Sequence, residues 1–79
     1  MSNNYTNTMR YAVRTIKNPT SIPLDVIQQP DGLELRVSNT QAFKALSLTD
    51  RMNFISYIHT IADYMTAEGA KVYVTGAQI

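Results

Sequence analysis

The sequence predicts an α+β domain: a small antiparallel sheet of three or four strands, in β-β-β-α-β order, with one long helix packed across one face. Three observations carry that prediction. A turn sequence, Gln29-Pro30-Asp31-Gly32, separates two runs of alternating apolar and polar residues. An apolar repeat of helical period follows, opened by Ser47 and closed by Gly69. A last alternating run, residues 70–75, supplies one more strand. Short connections and single apolar faces make a helix laid on a sheet the simplest way to bury all of them.

In chain order, residues 1–7 read as a flexible polar tail, because only Tyr5 offers an apolar anchor. Residues 8–79 then form the single domain. Residues 8–17 fit two patterns. As a strand, Met9, Tyr11, Val13 and Thr15 face one way and Arg10, Ala12 and Arg14 the other. As a helix, Met9, Ala12, Val13 and Ile16 share one face and Arg10, Arg14 and Lys17 another. The Tyr, Val, Thr and Ile content assigns the segment as the first strand. Asn18-Pro19 ends it under either pattern, since the residue before proline avoids the helical region.

The hairpin follows over residues 22–28 and 33–38. Pro30 presets φ, Asp31 bonds the local backbone, and Gly32 supplies a positive φ to close the turn. Leu24 and Val26 lie on one side of the first arm, while Leu33, Leu35 and Val37 alternate with Glu34, Arg36 and Ser38 in the second. That pattern calls for one buried face. Residues 40–46 predict a short helical turn with Phe43 and Leu46 inward.

Ser47-Leu48-Thr49-Asp50 resembles a capping box, with Asp50 placed to complement the positive end of the long helix. Gly69 suits the left-handed residue that ends it. Thr49, Asn53, Ser56, Thr60, Asp63 and Ala67 form a narrow, weakly charged stripe along that helix. Opposite lie Leu48, Met52, Ile55, Ile58, Ala62 and Met65, with Phe54, Tyr57, Ile61 and Tyr64 along the flank. A helix on one sheet face needs an apolar arc of roughly 100°, and this arc is wider. The excess predicts a homodimer with Phe54, Tyr57, Ile61 and Tyr64 at the contact, tyrosine being suited to interfaces by its apolar body and polar tip.

Composition bounds the chemistry. At 79 residues and 44% apolar, the chain holds one thin core that association would enlarge. The absence of cysteine excludes disulfides, thiolate metal sites and thiol nucleophiles. A single histidine, His59, leaves no zinc site within one chain, so neither metal nor cofactor is expected. No apolar run reaches the roughly 18 residues of a membrane span, and the polar start is no secretory signal. The expected location is cytoplasmic, with no membrane partner.

Ser56, His59 and Asp63 fall on one side of the long helix, at i, i+3 and i+7. Acyl-transfer catalysis by such a trio also needs an exposed nucleophile, an oxyanion hole and a cleft. Gly32, Gly69 and Gly76 form no nucleophile elbow, and no phosphate-binding or calcium loop is present. The trio reads as a solvated stripe and the chain as not an enzyme. Net charge is +1, yet Arg10, Arg14 and Lys17 stand in a first third that has no acid. Arg10 and Arg14 share a face as helix or strand, so these three are the expected partner-binding residues. About three phosphate contacts per chain fall short of tight nucleic-acid binding. Another protein is therefore the expected partner, with nucleic acid the alternative.

Small size, no cysteine, an Asn- and Thr-rich start and no catalytic motif together resemble the small accessory proteins encoded by bacteriophages. That resemblance of style implies a viral protein that binds or inhibits a host protein or defence system in a bacterial cytoplasm. The alternative is a small nucleic-acid-binding or transcription-modulating protein.

Overall fold

The computed structural model describes residues 11, 12 and 14–77. The tail expected over residues 1–7, with Met9, Arg10 and Val13, lies outside the described residues. The elements run β1 (Asp25–Gln29), β2 (Gly32–Arg36), α1 (Thr40–Ala45), α2 (Leu48–Ala67) and β3 (Lys71–Thr75). They form one three-stranded sheet, in the order β1-β2-β3, with α2 packed against it. The α+β class and the long helix on a small sheet are as the sequence predicts.

The sheet is mixed rather than antiparallel. β1 and β2 pair antiparallel, from Asp25 opposite Arg36 to Gln29 opposite Gly32. β2 and β3 pair parallel, from Gly32 beside Lys71 to Arg36 beside Thr75. The reason lies in the connection. A helix of 20 residues spans about 30 Å, which returns the chain along the sheet and starts β3 at the same end as β2. A helical crossover of that length is what parallel neighbours require.

The assignment of residues 8–17 as a strand is also corrected. Tyr11, Ala12, Arg14 and Thr15 are helical, and the Ile16 N–H donates to the Ala12 carbonyl at 2.7 Å. Ala12 is buried and Ile16 packs on the core, while Arg14 and Thr15 face water. Burying that i, i+4 pair outweighs the β-propensity of the segment. Asn18 then builds the turn: its Oδ1 accepts from the Thr20 N–H and hydroxyl, and its amide donates to the Ile22 carbonyl. Ile22 is thereby delivered to the core.

α1 and α2 open on side-chain caps, of which the sequence predicts that of Ser47. Asn39 Oδ1 accepts from the Ala42 N–H, and Ser47 Oγ accepts from the Asp50 N–H, each at 3.1 Å. α2 closes on Gly69 at φ 98°. The Gly69 N–H donates to the Thr66 carbonyl and the Ala70 N–H to the Met65 carbonyl. This paired arrangement satisfies carbonyls that the helix end leaves free, and it brings buried Ala70 beneath buried Met65.

The core lies between α2 and one face of the sheet. Leu33, Leu35 and Val37 of the second hairpin arm meet Phe54, Tyr57, Ile58, Ile61 and Met65 of α2, with Phe43 of α1 and Ile22 at the margin. Phe43, Phe54 and Tyr57 form a row, with ring centroids 6.0 and 5.9 Å apart. Burial pushes the Tyr57 phenol above its ordinary pKa, because the phenolate would lose its hydration.

The hairpin closes differently from the expectation. Pro30 and Asp31 form the turn, and Gly32 is already in β2 without a positive φ. Its need for glycine is steric: a Cβ there would run into the backbone of Lys71 on β3. Gly32 is therefore what lets the third strand approach. Asp31, too, reaches beyond its own turn, as the open face of the sheet shows.

Candidate functional site

Only one face of the sheet carries α2. The other face is built from alternate residues of all three strands. Register places Asp25, Ile27 and Gln29 of β1, Glu34 and Arg36 of β2, and Lys71, Tyr73 and Thr75 of β3 on it together. The strand period thus turns one side of an apolar hairpin into a polar surface.

Glu34 is its centre and is 9% exposed, on the face opposite α2. Its neighbours shield and satisfy it. Gln29 Nε2 donates to Oε1 at 2.9 Å, Arg36 Nη2 to Oε1 at 3.1 Å and Arg36 Nε to Oε2 at 3.0 Å. The Thr75 hydroxyl donates to Oε2 at 2.8 Å. Arg36 and Thr75, and to a lesser degree Gln29, hold the Glu34 carboxyl below the ordinary carboxylate range, against the opposing effect of its shielding from water. In return the carboxylate raises the Arg36 guanidinium. All three strands contribute to this one network.

A second carboxylate anchors the neighbouring tyrosine. Asp31 Oδ2 accepts from the Tyr73 hydroxyl at 2.9 Å, with Lys71 Nζ 4.0 Å away. That hydrogen bond, followed by the negative charge itself, pushes the Tyr73 phenol up. Tyr73 nonetheless remains 45% exposed, and Arg36 is also exposed. The face therefore presents an aromatic ring and a guanidinium, each fixed by a carboxylate. An ionised, fully partnered Glu34 is unsuited to general acid work.

The residues singled out from the sequence are distributed otherwise. Of the three residues expected to bind a partner, Arg14 and Lys17 are exposed and Arg10 lies outside the described residues. Phe54, Tyr57 and Ile61 fill the core of the single chain. Of the four residues expected at a self-association contact, only Tyr64 is exposed, its ring centroid 6.5 Å from that of Tyr11. The excess apolar arc lies on the opposite flank, where Leu48 and Met52 are exposed and Ile55 and Ala62 half-buried.

Thr49, Asn53, Ser56, Thr60, Asp63 and Ala67 are all exposed, so the polar stripe is the solvent side of α2. The Thr60 hydroxyl donates to the Ser56 backbone carbonyl. His59 is exposed in the same way. Among the described residues no cluster of three His, Asp or Glu side chains is placed to hold a metal ion. None of the described helices is long and apolar enough to cross a membrane.

Glu34 and Arg36 were legible as a same-face pair from their spacing. Gln29, Tyr73 and Thr75 were not, because they join only through the hairpin register and the parallel β2–β3 pairing. Compared with known protein families, with characterised proteins and with solved structures, the chain matches none of them.

Proposed function

We propose that this chain is a non-enzymatic binding protein that acts by occupying a surface of another protein with the open face of its sheet. The observation that carries this reading is that face itself: Tyr73 and Arg36 stand on it, each pinned by a carboxylate. Tyrosine and arginine are the residue types that most often dominate protein–protein contacts, and side chains already held in place lose less entropy on binding. The charges of the region, Asp25, Asp31 and Glu34 against Arg36 and Lys71, favour a protein over a phosphate backbone. Arg10, Arg14 and Lys17 add positive charge elsewhere that would speed encounter with an acidic partner. Obstruction of a partner's surface would be in keeping with a phage-encoded inhibitor of a host protein.

The test is affinity capture from a bacterial lysate, with and without nuclease, using the wild type and an Arg36→Ala/Tyr73→Ala variant. A discrete protein retained after nuclease treatment and lost with the variant is the expected result. Capture that disappears with nuclease would overturn the reading. So would micromolar binding to DNA or RNA that is abolished when Arg10, Arg14 and Lys17 become Gln. Either result would establish the alternative, a small nucleic-acid-binding or transcription-modulating protein.

A further inference from the structure

β3 is an edge strand with two apolar side chains exposed on opposite faces. Tyr73 (45% exposed) lies on the open face, and Val74 (39% exposed) on the face that carries α2. A partner resting on either face would cover only one of them. A strand added along the edge covers both.

The backbone says where such a strand must pair. Strand backbone groups alternate sides, and the Thr75 carbonyl accepts from the Val37 N–H at 2.9 Å. Lys71, Tyr73 and Thr75 therefore turn their backbone groups toward β2, leaving Val72 and Val74 to direct theirs outward. Among the described residues nothing pairs with that outer side. The outward row also ends abruptly. Ala70 donates its N–H to Met65, and Gly76, at φ 81°, has left the extended conformation. Val72 and Val74 are the whole of the available edge.

We propose that β3 pairs antiparallel with β3 of a second copy about a two-fold axis at Tyr73, joining two sheets into one of six strands. Only that register sets Val72 opposite Val74 in both halves, so the four outward N–H and C=O pairs of the two strands satisfy one another. It lays valine against valine on the helix side. On the open side Lys71 meets Thr75 of the partner subunit, so no like charges stand opposed, and the two tyrosines adjoin at the axis as a closely spaced pair. The sequence Lys71-Val72-Tyr73-Val74-Thr75 is thus self-complementary, which singles out a second copy rather than an unrelated strand. The pairing uses Tyr73, which the proposed binding face also presents, but it needs no partner on that face. It would place two such faces side by side.

Three measurements test it together. Light scattering after size-exclusion chromatography should give about twice 8.9 kDa for the wild type at high micromolar concentration. Val74→Pro removes an outward N–H while leaving the β2–β3 ladder intact, and edge strands tolerate such a proline. It should return the mass to that of one chain with an unchanged circular dichroism spectrum. In the wild type, amide exchange at Val72 and Val74 should slow by about tenfold or more as concentration rises, without a matching change at solvent-exposed turn amides. This reading does not depend on a variant that folds. A monomer at all concentrations, a folded Val74→Pro dimer, or exchange at Val72 and Val74 independent of concentration would each overturn the proposal.

Discussion

The two faces of β2 put neighbouring residues of one strand into different physical regimes. Leu33 and Leu35 point under α2 and are buried by apolar contact with Phe54, Ile58 and Ile61. Glu34, between them in sequence, is almost as inaccessible, yet it lies among side chains that hydrogen-bond it. The first kind of burial is non-directional and tolerates repacking. The second depends on particular donors at particular distances, and it fails if a strand shifts register by one residue. The apolar face thus stabilises the fold, while the polar face makes the three-strand alignment specific.

The largest expected effect comes from breaking the apolar side. Leu35→Ala leaves a cavity beneath α2 at a fully buried site and should destabilise the domain by about 2–5 kcal/mol. Urea unfolding should show a lower midpoint with an unchanged slope. Next is Gly32→Val, on the open side, where the new side chain collides with the Lys71 backbone. Overpacking of this kind costs about 1–3 kcal/mol. The loss should be concentrated in the β2–β3 pairing: amide exchange in β3 should accelerate while the hairpin amides keep most of their protection.

The polar side is sharpened by pH. The folded-state pKa of Glu34 is held down by Arg36 and Thr75. Its contribution is therefore present above the unfolded-state value and is lost as pH falls through the folded-state one. Glu34→Gln cannot titrate, so the stability difference between wild type and variant should hold from neutrality down to the unfolded-state value and shrink below it. A difference that stays constant down to the acid end of the transition would show that Glu34 is not held in this network. Arg36→Ala and Thr75→Val, which each leave a carboxyl to titrate, should move the acid loss of stability to higher pH.

The smallest expected effect marks where neither regime operates. Leu48→Gln and Met52→Gln change the exposed flank of α2, where each side chain is 55% accessible. Stability should stay within about 0.5 kcal/mol of wild type. Thermal unfolding of the pair, with circular dichroism at helix wavelengths, checks this directly. A larger loss would mean that the flank is covered.

The sequence by itself determined the elements whose signals are local. Ser47 and Gly69 bound α2 through groups a few residues away, and the alternation of Leu33, Leu35 and Val37 against Glu34 and Arg36 assigns the two faces of β2. Tertiary structure decided what depends on a distant surface. Residues 11–15 had both strand and helical patterns, and the core chose by accepting Ala12 and Ile16 on one helical face. The wide apolar arc of α2 did not say which part faces inward; contact with the sheet buried Phe54, Tyr57 and Ile61 and left Leu48 and Met52 outside. The parallel direction of β3 follows from the helix that returns the chain, a constraint on three elements at once. Only that direction brings Thr75 to Glu34 and Tyr73 to Asp31, because contacts across some forty residues of chain are set by packing and register rather than by local conformational preference.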